Sequence, residues 1–549
     1  MKRLSFILMV IFTSFLNAQE LTVDWTDLQH YDKKVDGFFD EYVGANSKYV
    51  YTKYDNRASG FRKWKMKLVT YDKKTMSKAG SVTLFDGKDV AKAKKYEDLK
   101  YYKTIIFEKT VYVFWANWSK KKDELYVESL DENLNPISPL KKIYELTSSK
   151  QDNKKAALFV MGNKFSNERI VIGGELAADK GEKVRIEYKL LNSDFTFFSS
   201  HQVELPISIT GKSSSLTSSY ELGNDGNLHI KSYVSMSREE KKSAQKNEAT
   251  VYPIYSVVEL ASGAIKSYPM KFNDKNLFDF DFIVSKNSIK IFGFFCDLKK
   301  DPKGVDNHGI FYSVIDPATF TINAMNFSYF TKVQLDHLFA KDISDRKDNS
   351  TLRSKKKAQS EEQSIPDNYS IEDVQSVDGD NLVLFCSRMQ NGSYRSCDSK
   401  GHCTTYYYCK KSNVTAFRLN AKGEIIWASN LDRKYTYAVW DVKDVKVINK
   451  DGFFYVTYAS TPSKEKKRAD HKKKETKFEY GVFDYATGKA SKKDFLVNGP
   501  NTPKKEKKCF FVTDIIKLDN EFYLTAKPNF STRNLKPKTG HLGYMKPRA

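Results

Sequence analysis

Nowhere in this chain do roughly 20 apolar residues run together, so no membrane-spanning helix is encoded. The familiar catalytic signatures are missing too. There is no H-E-x-x-H pair, no G-x-S-x-G elbow, no phosphate-cradling glycine loop and no repeated S-x-D-x-G-x-x-W aspartate box. Histidine is sparse, eight residues scattered through 549. Cysteine is sparser: Cys296, Cys386, Cys397, Cys403, Cys409 and Cys509, none spaced C-x-x-C. A zinc site that combines these cysteines with His402 lacks the spacing such sites show. No catalytic, cofactor-binding or metal-binding residue is therefore assigned. Carboxylates are plentiful, and a glycosidase needs only two of them about 5 to 9 Å apart. Acid–base carbohydrate chemistry thus stays open as an alternative.

What the sequence has in abundance is one repeated unit: an apolar strand, an acidic or glycine turn, and a second strand. It recurs from Leu68, Leu125, Val184, Ile254, Ile310, Val414 and Glu479. A more apolar hairpin with a tighter turn precedes each copy, through turns such as Asn224-Asp225-Gly226 and Lys450-Asp451-Gly452. Two such hairpins make a four-stranded antiparallel blade, the unit of a β-propeller. Aromatics form 14% of the chain, which suits many short, half-buried strands. The expected fold is all-β: a propeller of seven or eight blades, with eight favoured. A nested pair of β-sandwiches is the weaker rival. The eighth blade needs "HLGYM" at His541 as its third strand and "LTVDW" at Leu21 as its fourth, which joins the two ends of the chain and removes exposed edges.

The first 18 residues read as a secretory signal peptide. Lys2 and Arg3 precede an apolar run from Leu4 to Phe15, with cleavage expected after Ala18. Residues 19–549 are then expected to form a single propeller domain, exported to the periplasm, the outer membrane or the medium. A charged insertion at 331–367 interrupts it, and Val333 to Ile343 carries a helical pattern with Leu335, Leu338, Phe339 and Ile343 near one face.

The formal charge is +23, two units less once the signal is removed. An excess of this size favours anionic partners, whether glycan, lipid headgroup or envelope protein. Lysine outnumbers arginine, which argues against base-specific nucleic-acid readout. In a propeller, the turns within hairpins lie on one face, and the loops between hairpins and between blades lie on the other. Every long segment here belongs to the second class, and the lysine runs fall there as well. Lys466, Lys467, Arg468, Lys472, Lys473, Lys474, Lys504 and Lys505 are the candidate partner-binding residues.

The densest local feature runs from Cys386 to Lys411. It reads as an extended hairpin in blade 6, with Cys397 and Cys403 placed to form a disulfide across the Asp398–Gly401 tip. Cys386 is a second candidate partner, for Cys409, although one regular register cannot serve both pairs. The hairpin leads into a G-x-I-x-W turn at Gly423, Ile425 and Trp427. This stretch, with the charged insertion before it, resembles uncharacterised exported β-propeller proteins of Bacteroidetes-type bacteria over about Thr331 to Leu431. The resemblance implies a propeller and a cell-envelope or secreted location, and it brings no catalytic residues. The leading reading is a non-enzymatic binding or scaffold protein with a basic, loop-rich working face. The alternative is a carbohydrate-active hydrolase or lyase with acidic residues in its central channel.

Overall fold

A computed structural model describes residues 21–30, 38–55, 65–86, 96, 98–119, 122–147, 157–163, 169–176, 181–208, 219–236, 242, 249, 251–285, 287–301, 306–335, 338, 365–366, 369–397, 403–437, 445–458, 477–497, 510–518, 521–528 and 539–547. Eight four-stranded antiparallel sheets stand in a ring as an eight-bladed β-propeller. Counting strands from the axis outward, blade 1 is Phe38–Ala45, Tyr49–Asp55, Lys65–Asp72 and Lys78–Asp86. Blades 2, 3 and 4 begin with Lys100–Ile106, Ala157–Asn163 and Ser219–Leu222. Blades 5, 6 and 7 begin with Lys275–Val284, Tyr369–Val377 and Lys446–Lys450. Blade 8 takes three strands from the end of the chain, Phe510–Leu518, Glu521–Pro528 and Thr539–Pro547, and its fourth from the start, Leu21–Trp25.

The middle strands of a blade are covered on both sides by neighbouring blades. Their sequences therefore run apolar without alternation. All nine residues of Ile289–Asp297 are buried, whereas the outermost strand of the same blade, Ile322–Tyr329, is half exposed. The apolar clusters follow this geometry, one at each of the eight junctions between blades.

The turns between third and fourth strands carry a shared device. Asp72, Asp131, Asp316, Asn420 and Asp484 each open such a turn, and each side chain accepts backbone N–H groups inside it. A residue near the end of the turn is left-handed: Met76, Leu134, Phe195, Gly263, Phe320, Gly423 and Gly488 in blades 1 to 7. That residue packs on the preceding blade. Met76 enters the blade 8–1 cluster, Leu134 the blade 1–2 cluster, and Phe195 lies edge-on to Tyr112 of blade 2. At Gly488 a side chain is excluded twice, by φ of 72° and by the ring of Trp427, 2.6 Å from where Cβ would stand. Donors of the preceding blade also cap turn carbonyls: Tyr51 to Glu132 at 2.9 Å, Tyr112 to Ser193, Tyr188 to Leu260 at 3.1 Å, and the Trp427 indole to Tyr485 at 3.0 Å.

Nearer the axis, the first strands of blades 1, 2, 5, 6 and 8 share a bulge. The side chains at the bulge reach the next blade. Tyr102 and Lys103 donate to the Leu158 and Val160 carbonyls, Asp279 accepts from the Ile371 N–H, and Asp373 accepts from the Val447 N–H at 2.8 Å.

Blade 8 closes the ring without a covalent turn. Leu21–Trp25 pairs antiparallel with Pro547–Gly543, and Leu21 donates its N–H to the Tyr480 hydroxyl of blade 7 at 3.1 Å. The helical turn Lys332–Leu335 leaves Val333 exposed and buries Leu335 between blades 5 and 6, where Leu338 is buried as well. Phe339 and Ile343 lie outside the described residues.

Deleting residues 21–25 leaves blade 8 with an open edge. Limited proteolysis is expected to cut first within 510–547. Acid should weaken the turns. Hydrogen bonds from Thr319 and Ala318 hold the Asp316 carboxyl below the usual carboxylate range. That contribution is present above the unfolded value and is lost as pH falls through the folded one. Asp316→Ala should therefore lower the urea midpoint at neutral pH, and the difference from the parent should vanish in acid.

Candidate functional face

The turns within hairpins are two to six residues long, while the connections on the opposite face reach well beyond ten. All the longest segments thus leave from one face of the ring. The strand ends that flank 459–476 and 498–509 lie on it. Lys466, Lys467, Arg468, Lys472, Lys473, Lys474, Lys504 and Lys505 themselves lie outside the described residues, as do His402 and Cys509.

Blade 6 carries an arm on this face. Its second and third strands, Asn381–Cys397 and Cys403–Leu419, are each 17 residues long, whereas second strands in the other blades have five to nine. Eight extra residues at about 3.3 Å each extend the hairpin by about 25 Å. The fourth strand, Ile425–Tyr437, follows as far as Cys409, so the base of the arm is three-stranded and the tip two-stranded. A disulfide joins Cys397 to Cys403 at the tip. The second cysteine pairing does not form. The register that joins Cys397 to Cys403 sets Cys409 opposite Asn391, and a bulge between Ser387 and Arg388 then sets Cys386 opposite Thr415.

Charge is buried where the arm joins the ring. Lys411 Nζ lies 2.5 Å from Glu372 Oε1, with both side chains at most 1% exposed. Beside them Arg433 donates to the Ser387 hydroxyl at 2.6 Å and faces the Tyr458 ring, whose hydroxyl donates to Glu479. Burial, then Glu479, pushes the Tyr458 hydroxyl well above the usual phenol range. Nothing in the sequence flags this root. Lys411 sits in a Cys-Lys-Lys run that reads as solvated, and Glu372 becomes an inward residue only through the bulge beside it.

The neighbouring blade braces its own loop. Lys275 Nζ lies 3.0 Å from Asp297 and 2.6 Å from the Tyr329 hydroxyl, which donates to Asp297 at 2.6 Å. Burial opposes ionisation of Asp297, but Tyr329, Lys275 and the Lys299 N–H outweigh it and hold the carboxyl at about 2. Burial lowers His308, and its Nδ1 accepts the Asp297 N–H at 3.2 Å. An acid this strong and a histidine held neutral fit a structural clamp over the 298–308 loop better than proton transfer near neutrality.

Several inner-strand carboxylates are matched with cations: Asp40 and Glu41 with Lys53, Asp279 with Lys231, Asp373 with Lys517. Glu175 is raised by burial, and its hydrogen-bond partner is the Tyr220 hydroxyl. Among the described residues no three His, Cys, Asp or Glu side chains converge as a metal site requires.

No family model matches this sequence, and no curated protein does. Solved structures align with this chain at low similarity. The polysaccharide lyase Uly1 is 9% identical with a TM-score of 0.36, covering 81% of this chain and 89% of its own. The WD40 domain of SCAP from fission yeast is 8% identical at 0.36, covering 95% and 98%. The β-propeller domain of the trilobed protease from Pyrococcus furiosus is 11% identical at 0.32, covering 73% and 93%.

Removing one partner of the Glu372–Lys411 pair strands a buried charge. Lys411→Met is expected to cost about 3–5 kcal/mol in urea unfolding, and the double variant Glu372→Leu/Lys411→Met should recover most of that loss.

Proposed function

We propose that this protein is an exported binding or scaffold protein of the bacterial cell envelope, and that it holds an anionic glycan against its loop-rich face. One observation carries the reading: a disulfide-tipped arm of about 25 Å projects from the face where every long connection leaves the ring. A structural disulfide suits an oxidising compartment outside the cytoplasm. An arm whose register is fixed by a disulfide, on the face from which the lysine-rich segments leave, offers a polyanion both shape and charge. The absence of catalytic signatures from the sequence, and the lysines that match several inner-strand carboxylates, favour binding over hydrolysis.

Immobilised heparin serves as a polyanion probe. The mature protein is expected to bind at low salt and elute as salt screens its charges. The triple variant Lys466→Glu/Lys467→Glu/Arg468→Glu should elute at clearly lower salt. Unchanged retention of the variant, or no retention of the parent, would remove the basic face from the reading.

A further inference from the structure

The fourth strands form the rim of the ring, and each has one edge that no strand of its own blade covers. In blades 1 to 4 and 6 to 8 the fourth strand contains at least one Asp, Glu, Lys or Arg, and in blades 2, 3 and 4 it contains proline as well. Charge and proline on an edge discourage the addition of a further strand. Blade 5 differs. Its fourth strand, Ile322–Tyr329, has no charged residue and no proline. It ends its sheet, and among the described residues no strand pairs with its outer edge. Ile322, Met325 and Tyr329 on this strand are 46%, 51% and 36% exposed, a concentration of open apolar groups that marks an interaction surface.

The two sides of this edge carry different chemistry. Toward blade 4, Met325 accepts from the Tyr268 hydroxyl at 3.7 Å, Phe327 packs edge-on against Phe272 at 5.1 Å, and Tyr329 lies on Phe295 at 5.1 Å. The fourth strand of blade 4, Ile265–Pro269, has only five residues, and half of Met325 stays in the open beside it. Toward blade 6, Ser328 accepts the Ile425 N–H at 3.2 Å. A strand laid on this edge therefore meets an apolar row on one side and a small polar group on the other. An exposed lysine stands at each end. Lys266 lies beside the turn that opens the strand, donates to the Ala318 carbonyl at 2.6 Å and pairs with no described carboxylate. Lys300 lies at the far end, its Nζ 4.8 Å from the centre of the Tyr329 ring, and it too pairs with no described carboxylate.

We propose that the outer edge of Ile322–Tyr329 receives an extended segment of a partner protein, alternating apolar and small polar residues between acidic ends, which adds to blade 5 as a fifth strand. Main-chain hydrogen bonds supply the affinity, while the apolar row and the two lysines select the side chains. Charge favours such a partner over a second copy of this chain, because two strongly positive copies repel each other and an acidic segment is attracted. A glycan does not offer the regular N–H and C=O groups that a strand edge pairs with. This rim surface is separate from the loop-rich face and its glycan, and either can fail without the other.

The probe is the labelled peptide Asp-Asp-Val-Thr-Val-Thr-Val-Asp-Asp, titrated into the mature full-length protein by fluorescence anisotropy, with amide hydrogen exchange as a second readout. Saturable binding is expected, with exchange slowed at 322–329 and affinity falling as salt is raised. The same peptide with proline at its centre should not bind. Met325→Glu, at an exposed position, should weaken binding about fivefold, the size of a lost cross-strand pair, and leave the unfolding temperature of the free protein unchanged. Lys266→Glu/Lys300→Glu should turn the preference to a peptide with lysines in place of the aspartates. No saturable binding, equal binding of the proline peptide, protection only outside 322–329, or affinity untouched by Met325→Glu overturns the proposal. So does a dimer in sedimentation that Met325→Glu dissociates, since the edge then belongs to a second copy.

Discussion

The ring depends on how the turn between the third and fourth strands of blades 1 to 7 grips the blade before it. A left-handed residue at the end of the turn sends its side chain, or its bare glycine backbone, into the preceding blade. An aspartate or asparagine at the start holds the turn in that shape. Met76, Leu134, Phe195 and Phe320 adopt positive φ although none is glycine, a strained choice for large side chains. Burial against the neighbouring blade offsets the strain: Met76 and Leu134 are almost wholly covered, and Phe195 and Phe320 lie on Tyr112 and Tyr255. Backbone strain in one blade and packing of the next are thus coupled, and this fixes blade spacing locally.

The coupling explains why the two faces of the ring differ. A turn that must fit a neighbour cannot lengthen without losing its contacts, so one face stays short everywhere. The connections of the other face are not tied to this turn, and several of them are longer. The arm of blade 6 and the loop braced by Asp297 both grow there. The one junction whose second blade has no covalent turn is that of blades 7 and 8. There the N-terminal strand replaces the turn, and Tyr480 accepts from Leu21 where other junctions donate to a carbonyl. Closure therefore rests on strand pairing between residues more than 500 positions apart, with the loop-closure entropy that implies.

Much of this was legible in the sequence, because each repeat states itself locally. Short apolar runs mark strands, and acidic or glycine turns mark hairpin ends. Counting the hairpins leads to eight blades, and the leftover segments at Leu21 and His541 point to the closure. The Cys397–Cys403 pair was readable because its two residues flank a tight tip. The Cys386 and Cys409 pairing does not form, because the register that joins Cys397 to Cys403 already sets Cys409 opposite Asn391, five positions from Cys386. A different limit hid Glu372 and Lys411. Bulges change which way a side chain points, and no periodicity in the sequence announces one. The turn latch was half visible: the opening aspartates could be read, but the left-handed Met76, Leu134, Phe195 and Phe320 follow no rule that favours glycine.

The buried root of the arm bears on what the arm is for. A buried ion pair is a poor way to gain stability, because two charges lose their water for one contact. Apolar residues of similar volume would hold the same strands together at least as well. What Glu372 and Lys411 add is direction: only one registry of the third strand brings the lysine to the carboxylate. Arg433 on Ser387 ties the fourth strand to the second in the same way. A long polar hairpin has weak register of its own, since little of it is buried and a slip by two residues preserves its faces. Specifying that register at the base by buried charge, and at the tip by a disulfide, leaves the residues between in one fixed alignment. Such alignment is worth its energetic cost where a surface has to match something, and it adds little to an arm that serves only as a solvated loop.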